Sequence, residues 1–511
     1  MSSTADSQFG TLRSFFWPIY RYELKKIIPM IFILFFICFN YSIVRNVKDA
    51  LVVTASGAKV IPFIKVWVML PSAVLLTLLY TQLCNRFSQE RVFYIIISLF
   101  LVGFALFAYV LYPYRMALMP TVSDAFLQSL PEGMGGLVDM YRNWPLTVFY
   151  VMSELWGSMV LSVLFWGFAN EVTKLHEAKR FYAVFPMWLN VATITASQVS
   201  NWVSWSNSES YLSSSAAWDA TLSSLVLLLL ISGVGSMVAF WYTNRYILTG
   251  HEYDDLHYSA NEVKTFEKKK KKSMGFRESF SFVSNSKYLV CIATIVVAYN
   301  LVINLVEVVW KDQLRNLYPD PTAYNTYMNH VMAATAIIST LMALMMAKIL
   351  DRFGWTVTAL ITPVVMLASS AGFFIFLFFN HSFGDAFFAF AGATPLVLAV
   401  FFGAVQNCMS KASKYSVFDA TKEMAYIPLS HECKLKGKAA IDGIGSRFGK
   451  SGGSMVHQSL LMIFVTINAS APYVAAILLA AIVFWIFAVK SLGLQFNEIT
   501  QEPKPVLATN S

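Results

Sequence analysis

Apolar stretches long enough to cross a bilayer follow one another from residue 27 to residue 491, and they leave this chain little choice of fold. A helix of ~20 apolar residues spans a hydrocarbon core of ~30 Å. Within lipid, each backbone N–H and C=O must find its partner inside the segment, which makes the helix the natural solution for such stretches. They fall near 27–47, 61–83, 92–112, 145–169, 180–202 and 220–243, then near 288–310, 328–349, 355–380, 386–410, 439–467 and 471–491. The reading is an all-α membrane protein with about twelve transmembrane helices in two six-helix halves. Polar residues and glycines interrupt the 180–202 and 439–467 stretches, which are the weakest of the set. Composition points the same way: 57% of the 511 residues are hydrophobic and 13% charged, whereas soluble domains carry about a quarter charged residues. So little polar surface could not cover a water-facing exterior.

Lys and Arg outnumber Asp and Glu, for a net charge of +9. A nucleic-acid partner would need these cations on one continuous polar face. They instead sit in short segments between apolar runs, so nucleic acid is excluded. Placing the N terminus in the cytoplasm puts Arg86/Arg91, Lys174/Lys179/Arg180, Lys348/Arg352 and the Lys411–Lys438 segment on the cytoplasmic side, while the 381–385 and 468–471 connections carry no cation. The positive-inside rule then predicts that both termini are cytoplasmic. Cys38, Cys84, Cys291, Cys408 and Cys433 are scattered, as are the histidines. Neither a disulfide framework nor a metal site is expected from their spacing. The first 26 residues contain no signal-peptide core and no evident transit peptide.

The expected organisation is a cytoplasmic segment at 1–26, a six-helix bundle at 27–244, a basic cytoplasmic linker at 245–287, a second bundle at 288–491 and a cytoplasmic tail at 492–511. The linker carries Lys268–Lys272 in one run. Such a run could meet anionic lipid or nucleotide, but its low complexity reads as a solvated connection. Two bundles around a central cavity form the major-facilitator layout. A weak repeat supports it. Asn85-Arg-Phe87 follows the second helix and Asp351-Arg-Phe-Gly354 the eighth, while Lys48-Asp49 and Lys311-Asp312 stand where the first and seventh helices are expected to end.

Ionisable side chains inside apolar spans are costly, so each is a candidate functional group. Glu154 lies about nine residues into the fourth helix, roughly 14 Å deep. Glu307 lies toward the outer end of the seventh, Lys65 opens the second, and Arg447 and Lys450 share a face of the eleventh at spacing i, i+3. Several cations with two carboxylates suit a large polyanion: Lys and Arg take phosphate, and carboxylates take amino or hydroxyl groups or hold the cations apart when the site is empty. The structural alternatives are an ion pair of Glu307 with Lys311 one turn on, and snorkelling of Lys65 to the interface. The segment Gly443-Ile-Gly-Ser-Arg-Phe-Gly-Lys-Ser-Gly-Gly453 is not a phosphate-binding P-loop, because its glycines stand three or five residues before Gly-Lys-Ser rather than the required four. Its glycines fit close helix approach or helix bending. Trp156, Phe165 and Trp166 could stack on a base, but in so aromatic a chain each reads first as packing. No nucleophile motif or metal-binding carboxylate cluster suggests an enzyme.

Longer motifs then bring a resemblance into view. They are Tyr41-Ser-Ile-Val-Arg-Asn-Val-Lys-Asp49, Ile61-Pro-Phe-Ile-Lys-Val-Trp67, Ser153-Glu-Leu-Trp-Gly-Ser158 and Leu164-Phe-Trp-Gly-Phe-Ala-Asn170. The second half adds Asn304-Leu-Val-Glu-Val-Val-Trp-Lys311, Ser413-Lys-Tyr-Ser-Val-Phe-Asp419, Lys422-Glu-Met-Ala-Tyr-Ile-Pro428, Gly437-Lys-Ala-Ala-Ile-Asp442 and Gly449-Lys-Ser-Gly-Gly453. In this order, from about residue 40 to 490, they resemble the ATP/ADP translocases of plastids and obligate intracellular bacteria. The resemblance implies a nucleotide antiporter exchanging ATP for ADP, with inorganic phosphate as a further candidate substrate. It implies that Lys65, Glu154, Glu307 and Lys450 act on the substrate. Arg447 joins them from its position, and Arg45, Lys48, Asn170 and Lys311, within the matched motifs, are additional candidates. A bacterial inner membrane is the expected location. No cofactor, metal or obligatory protein partner is expected, membrane lipid apart. Some members of the family import nucleotides with protons, so a proton-coupled importer using Glu154 or Glu307 is the competing expectation.

Overall fold

A computed structural model describes residues 17–123, 129–211, 213–248, 281–378, 392–438, 440–441 and 446–501. Most of the expected 245–287 linker, the Lys268–Lys272 run, the far N terminus and the end of the tail lie outside the described residues. Among the described residues the secondary structure is helical, without strands. The first six long helices are α1 Leu24–Ser56, α2 Val60–Arg86, α3 Gln89–Leu111, α4 Trp144–Val172, α5 Leu175–Ser210 and α6 Ser214–Ile247. Then come α7 Lys287–Leu317, α8 (321–353), α9 (355–378), α10 Pro395–Ala425, α11 Ser446–Phe464 and α12 Ile467–Gln501. Ten of the described helices are long and apolar enough to cross a membrane; α5 and α11 fall short. These are the two stretches whose polar residues and glycines stood out in the sequence.

The helix ends follow local chemistry. Ser88, Ser213, Ser286 and Thr394 each accept a hydrogen bond from the backbone N–H three residues on, satisfying an otherwise orphaned donor of α3, α6, α7 and α10. Pro395 stands in the first turn of α10, where its missing N–H costs nothing. Gly354 has φ +73°, a conformation L side chains rarely adopt, and it divides α8 from α9 immediately after Asp351-Arg-Phe.

Several boundaries differ from expectation. α1 and α7 do not end at their Lys-Asp pairs but run on to Ser56 and Leu317. The reason is that Lys48 and Lys311 pair with Asp49, Glu154 and Glu307 in the interior, so these charges do not have to reach water. α10 begins at Pro395 rather than near 386, and continues through Lys411 to Ala425. Lys411 therefore belongs to a membrane helix and not to a basic loop.

α1 starts on one face of the bundle, termed here the near face; the opposite face is the far face. The near-face starts of α1 and α5 are tied by ion pairs of Glu23 with Arg180 and of Lys26 with Glu177, the latter at 2.6 Å. From the bundle centre toward the far face the two halves are joined. Asn46 donates to Asn329 at 2.7 Å, Asn329 and Asn325 donate to Ser200 at 2.8 and 3.2 Å, and Arg315 donates to the Thr54 carbonyl at 3.3 Å. The connection between α3 and α4 also packs across this face: Lys59 pairs with Asp139 at 2.9 Å, and Gly133 lies against the backbone of Met462 on α11. Toward the near face α2 is loosely held, for among the described residues none of Leu70–Arg86 is buried.

Candidate functional site

α1 is apolar for most of its length, yet Lys48 and Asp49 are each only 3% exposed. Isolated charges at such depth would cost several kcal/mol each, and the surrounding helices supply opposite charges in alternation. Lys48 Nζ lies 2.8 Å from Asp49 Oδ1 and 3.0 Å from Glu154 Oε1 on α4. Asp49 Oδ2 lies 2.8 Å from Lys311 Nζ on α7. Lys311 Nζ is 3.4 Å from Glu307 Oε1, one turn earlier on α7, and that same oxygen is 3.4 Å from Lys411 Nζ on α10. The result is a chain of alternating sign, Glu154–Lys48–Asp49–Lys311–Glu307–Lys411, through four helices. Its Asp49–Lys311 link joins the two halves.

The chain is dry in the middle and open at its ends. Lys48, Asp49 and Lys311 are 3% exposed, against 27% for Glu154, 17% for Glu307 and 13% for Lys411. The middle is thus a seam between halves, and the ends are partly exposed. Lys48 also lies 3.9 Å from the centre of the Tyr150 ring, a second favourable contact for a desolvated ammonium.

Two further cations stand beside this chain. Lys65 Nζ donates to Asn304 Oδ1 on α7 at 2.9 Å, one turn from Glu307. The Arg45 guanidinium, one turn before Lys48 and Asp49, lies 5.9 Å from the Tyr41 ring. Neither has a carboxylate within ion-pair distance among the described residues. Counting Arg45, Lys48, Lys65, Lys311 and Lys411 against Asp49, Glu154 and Glu307 leaves an excess of two positive charges.

Local helix geometry changes around these groups. α2 widens to a π-helix over Ile64–Met69, which includes Lys65. α4 does so over Trp156–Phe165, just past Glu154, and α10 over Lys414–Phe418, just past Lys411. π segments shift the register of side chains on either side and are often found at functional sites.

Gly449 and Gly453 of Gly449-Lys-Ser-Gly-Gly453 serve close packing, one of the two roles the sequence left open. A Cβ at Gly449 would come within 2.6 Å of the Asn300 Cβ, and one at Gly453 within 3.0 Å of the Asn304 Cβ, so these glycines let α11 lie directly on α7. His457, two turns on from Gly449, bonds the Leu305 carbonyl at 2.9 Å. α11 therefore braces the turn of α7 that presents Asn304 and Glu307. The backbone of Arg447 and Lys450 lies at the start of α11; their side chains are outside the description.

Of the residues expected at the site, Lys48, Glu154, Glu307 and Lys311 come together in the chain, with Arg45 and Lys65 beside it. Asn170 does not join them: it is exposed near the end of α4 and accepts a hydrogen bond from Tyr182. Trp156 is fully buried, donates to the Ile37 carbonyl at 3.1 Å and packs edge-on to Phe100, while Phe165 is buried against Phe185. Both are core residues. Two members of the chain were not anticipated, Asp49 and Lys411. The motif Lys48-Asp49 held the signal for the first; for Lys411 the signal was obscured by the cations that follow it.

A cavity of about 630 Å³ opens elsewhere, on the far face between α5, α6 and α8, bordered by Trp205, Tyr211, Asp320, Tyr327 and His330. Among the described residues that line it there is no Lys or Arg, the donors a polyanion requires. Among the described residues no group of His, Cys, Asp and Glu is arranged to hold a metal ion.

Comparison with known proteins finds relatives along nearly the whole chain. A family model described as TLC ATP/ADP transporter matches residues 2–496. ADP,ATP carrier protein 1 of Chlamydia muridarum is 46% identical over 506 residues, covering 97% of this chain and 93% of the carrier. ADP,ATP carrier protein 1 of Chlamydia pneumoniae is 43% identical, covering 97% of this chain and 96% of the carrier. The chloroplastic ADP,ATP carrier protein 1 of Arabidopsis thaliana is 40% identical, covering 94% of this chain and 75% of the carrier. Among solved structures, a bacterial metal transporter has a TM-score of 0.57 at 11% identity, covering 93% of this chain and 99% of its own. A bacterial homologue of the iron transporter ferroportin has a TM-score of 0.56 at 13% identity, covering 95% of this chain and 100% of its own. At such identity the structural likeness establishes the fold, a major-facilitator-like bundle, and nothing of the substrate.

Proposed function

The chain belongs to the TLC ATP/ADP transporter family, and from that premise we infer that it is a multi-pass membrane antiporter exchanging ATP for ADP by alternating access. Near-full-length kinship to named ADP,ATP carriers carries the reading. The charge arrangement supplies its physical rationale.

Lys65 and Arg45, with Arg447 and Lys450 from α11, hold the phosphate chain in this reading, and Glu154 and Glu307 balance the cations. Phosphate oxygens suit these donors because charge-assisted hydrogen bonds are about twice as strong as neutral ones. The excess of positive charge explains why transport would be exchange. Reorientation requires the open side to close over the site. With nucleotide bound, the phosphates neutralise the surplus cations; without it, closure would desolvate unpaired charges at a cost of several kcal/mol each. A loaded carrier crosses and an empty one does not.

The six-helix halves, divided at the basic 245–287 segment, rock about this centre. Cation placement favours both termini in the cytoplasm and, for a bacterial protein, residence in the inner membrane. Inorganic phosphate is a further substrate compatible with the same donors, and lipid is the surrounding partner. Neither a cofactor nor a metal enters the cycle.

Uptake of labelled ATP into liposomes containing the purified protein tests the reading. Uptake is expected only with ADP inside, and should persist when a proton gradient is collapsed. Uptake into empty liposomes that ceases with the gradient would replace exchange by proton-coupled import.

A further inference from the structure

Lys411 stands out among the charged groups of the bundle as a cation whose one ion pair is shared with another lysine. An ammonium has three donor hydrogens. Among the described residues, the side-chain nitrogen of Lys411 has a single polar partner, Glu307 Oε1 at 3.4 Å, and Glu307 divides that oxygen between Lys411 and Lys311. A charge-assisted N–H···O bond is normally ~2.7–2.9 Å long. Both contacts of this Glu307 oxygen are therefore slack, and two cations compete for one acceptor. Among the charges that act on Lys411 are Arg45 and Lys311, both positive, and Glu307 and Asp49, both negative. Asp49 already makes a 2.8 Å bond to each of Lys48 and Lys311. The neighbourhood of Lys411 is therefore short of negative charge, its one contacting carboxylate being shared.

The position is also open and shaped. Lys411 is 13% exposed, at the open end of the alternating chain, and α10 widens into its π segment one residue turn later. Lys65 lies near the same carboxylate from the side of α2, through its bond to Asn304.

We propose that Lys411 is a phosphate ligand of the transported nucleotide, and that Glu307 occupies it as an internal stand-in for phosphate while the site is empty. The phosphate chain enters among Lys411, Arg45 and Lys65 and takes over the Lys411 ammonium. Glu307 is then left to Lys311 alone, and the loss of one shared contact accompanies loading. This rests on the nucleotide-exchange reading and adds to it a residue and a displacement.

Equilibrium binding of ATP, ADP, AMP and adenosine to purified protein tests the proposal, with thermal unfolding as a check on folding. Lys411→Gln is expected to weaken ATP and ADP by about tenfold or more, the scale of one lost charge-assisted bond, and to leave adenosine unchanged. Lys411→Arg should retain most of the affinity. Glu307→Gln should tighten ATP binding several-fold while slowing exchange in liposomes, because the stand-in no longer competes; a residue that only props up the helices would not tighten binding when neutralised. Equal loss for adenosine and ATP in Lys411→Gln, or no gain of affinity in Glu307→Gln, overturns the proposal. If Lys411→Gln does not fold, Lys411→Arg and Glu307→Gln decide it. A wild-type protein that binds none of the nucleotides refutes the exchange reading itself, a result distinct from unaltered binding in the variants.

Discussion

Asp49 is the residue on which the buried charges depend. Its two oxygens each meet an ammonium at 2.8 Å, one from its own half and one from the other. Removing it leaves Lys48 with Glu154 and Lys311 with a 3.4 Å contact to Glu307. Breaking a buried ion pair by deleting one partner typically costs about 3–5 kcal/mol, whereas neutralising both partners costs much less. Asp49→Asn should therefore lower the unfolding temperature of the detergent-solubilised protein markedly. The double change Asp49→Asn with Lys311→Gln should recover most of the loss without recovering transport. A double variant no more stable than the single one would show that the pair does not act as a unit. The sequence displayed part of this chemistry: Glu154 and Glu307 stand in apolar stretches where a charge is conspicuous, while Lys48 and Lys311 entered through the motifs that carry the family resemblance. Lys411 was hidden because Lys414 and Lys422 follow it, and a helix entering a basic stretch looks in sequence like a helix that has ended. Asp49 was hidden by the same logic, as a Lys-Asp pair reads as a terminus until Lys311, 262 residues away, is placed beside it.

At the level of the helices, α11 illustrates how composition and packing part company. It is one of the two weakest spans by hydropathy, and its glycines resemble a nucleotide-binding loop at a glance. Their spacing excluded the loop, and contact with α7 gives them their purpose. Gly449 and Gly453 are four residues apart and face Asn300 and Asn304, whereas Gly452 has nothing within 4 Å of where a Cβ would stand. These neighbours provide an internal control. Gly449→Ala puts a methyl 2.6 Å from the Asn300 Cβ and 3.0 Å from the Val297 carbonyl oxygen, which forces two helices apart. Overpacking of this kind costs about 1–3 kcal/mol. Gly452→Ala should be neutral or slightly stabilising, since alanine favours helix. The expected result is a lower unfolding temperature and weaker nucleotide binding in Gly449→Ala only, because displacement of α7 moves Asn304 away from Lys65. Equal behaviour of the two variants would remove the argument for a packing face. Apart from α5, the remaining spans were readable from hydropathy, with ends displaced where a capping Ser or Thr, or a neutralised charge, set the boundary.

The whole bundle is asymmetric across the membrane: joined from its centre to the far face, loosely held along α2 toward the near face. Alternating access requires the joined seam to part. Asn329 and Ser200 meet at 2.8 Å across it, so in a background with Cys38, Cys84, Cys291, Cys408 and Cys433 replaced, the pair Ser200→Cys and Asn329→Cys should oxidise to a cross-link. Exchange should stop on oxidation and return on reduction; full exchange by the cross-linked protein would mean that this seam does not open. The charge carried through the opened seam can be measured as well. ATP bears one more negative charge than ADP, and at 100 mV a net elementary charge crossing the membrane is worth ~2.3 kcal/mol. Bare ATP-for-ADP exchange should therefore respond to an imposed potassium-diffusion potential, with the final ATP distribution in the liposomes shifting by about fiftyfold at 100 mV. If singly charged phosphate travels with ADP, the two sides of the exchange balance and the potential has no effect. A potential-independent exchange that nonetheless proceeds in phosphate-free liposomes would contradict both schemes, because the missing charge would then have to be carried by an ion for which neither provides.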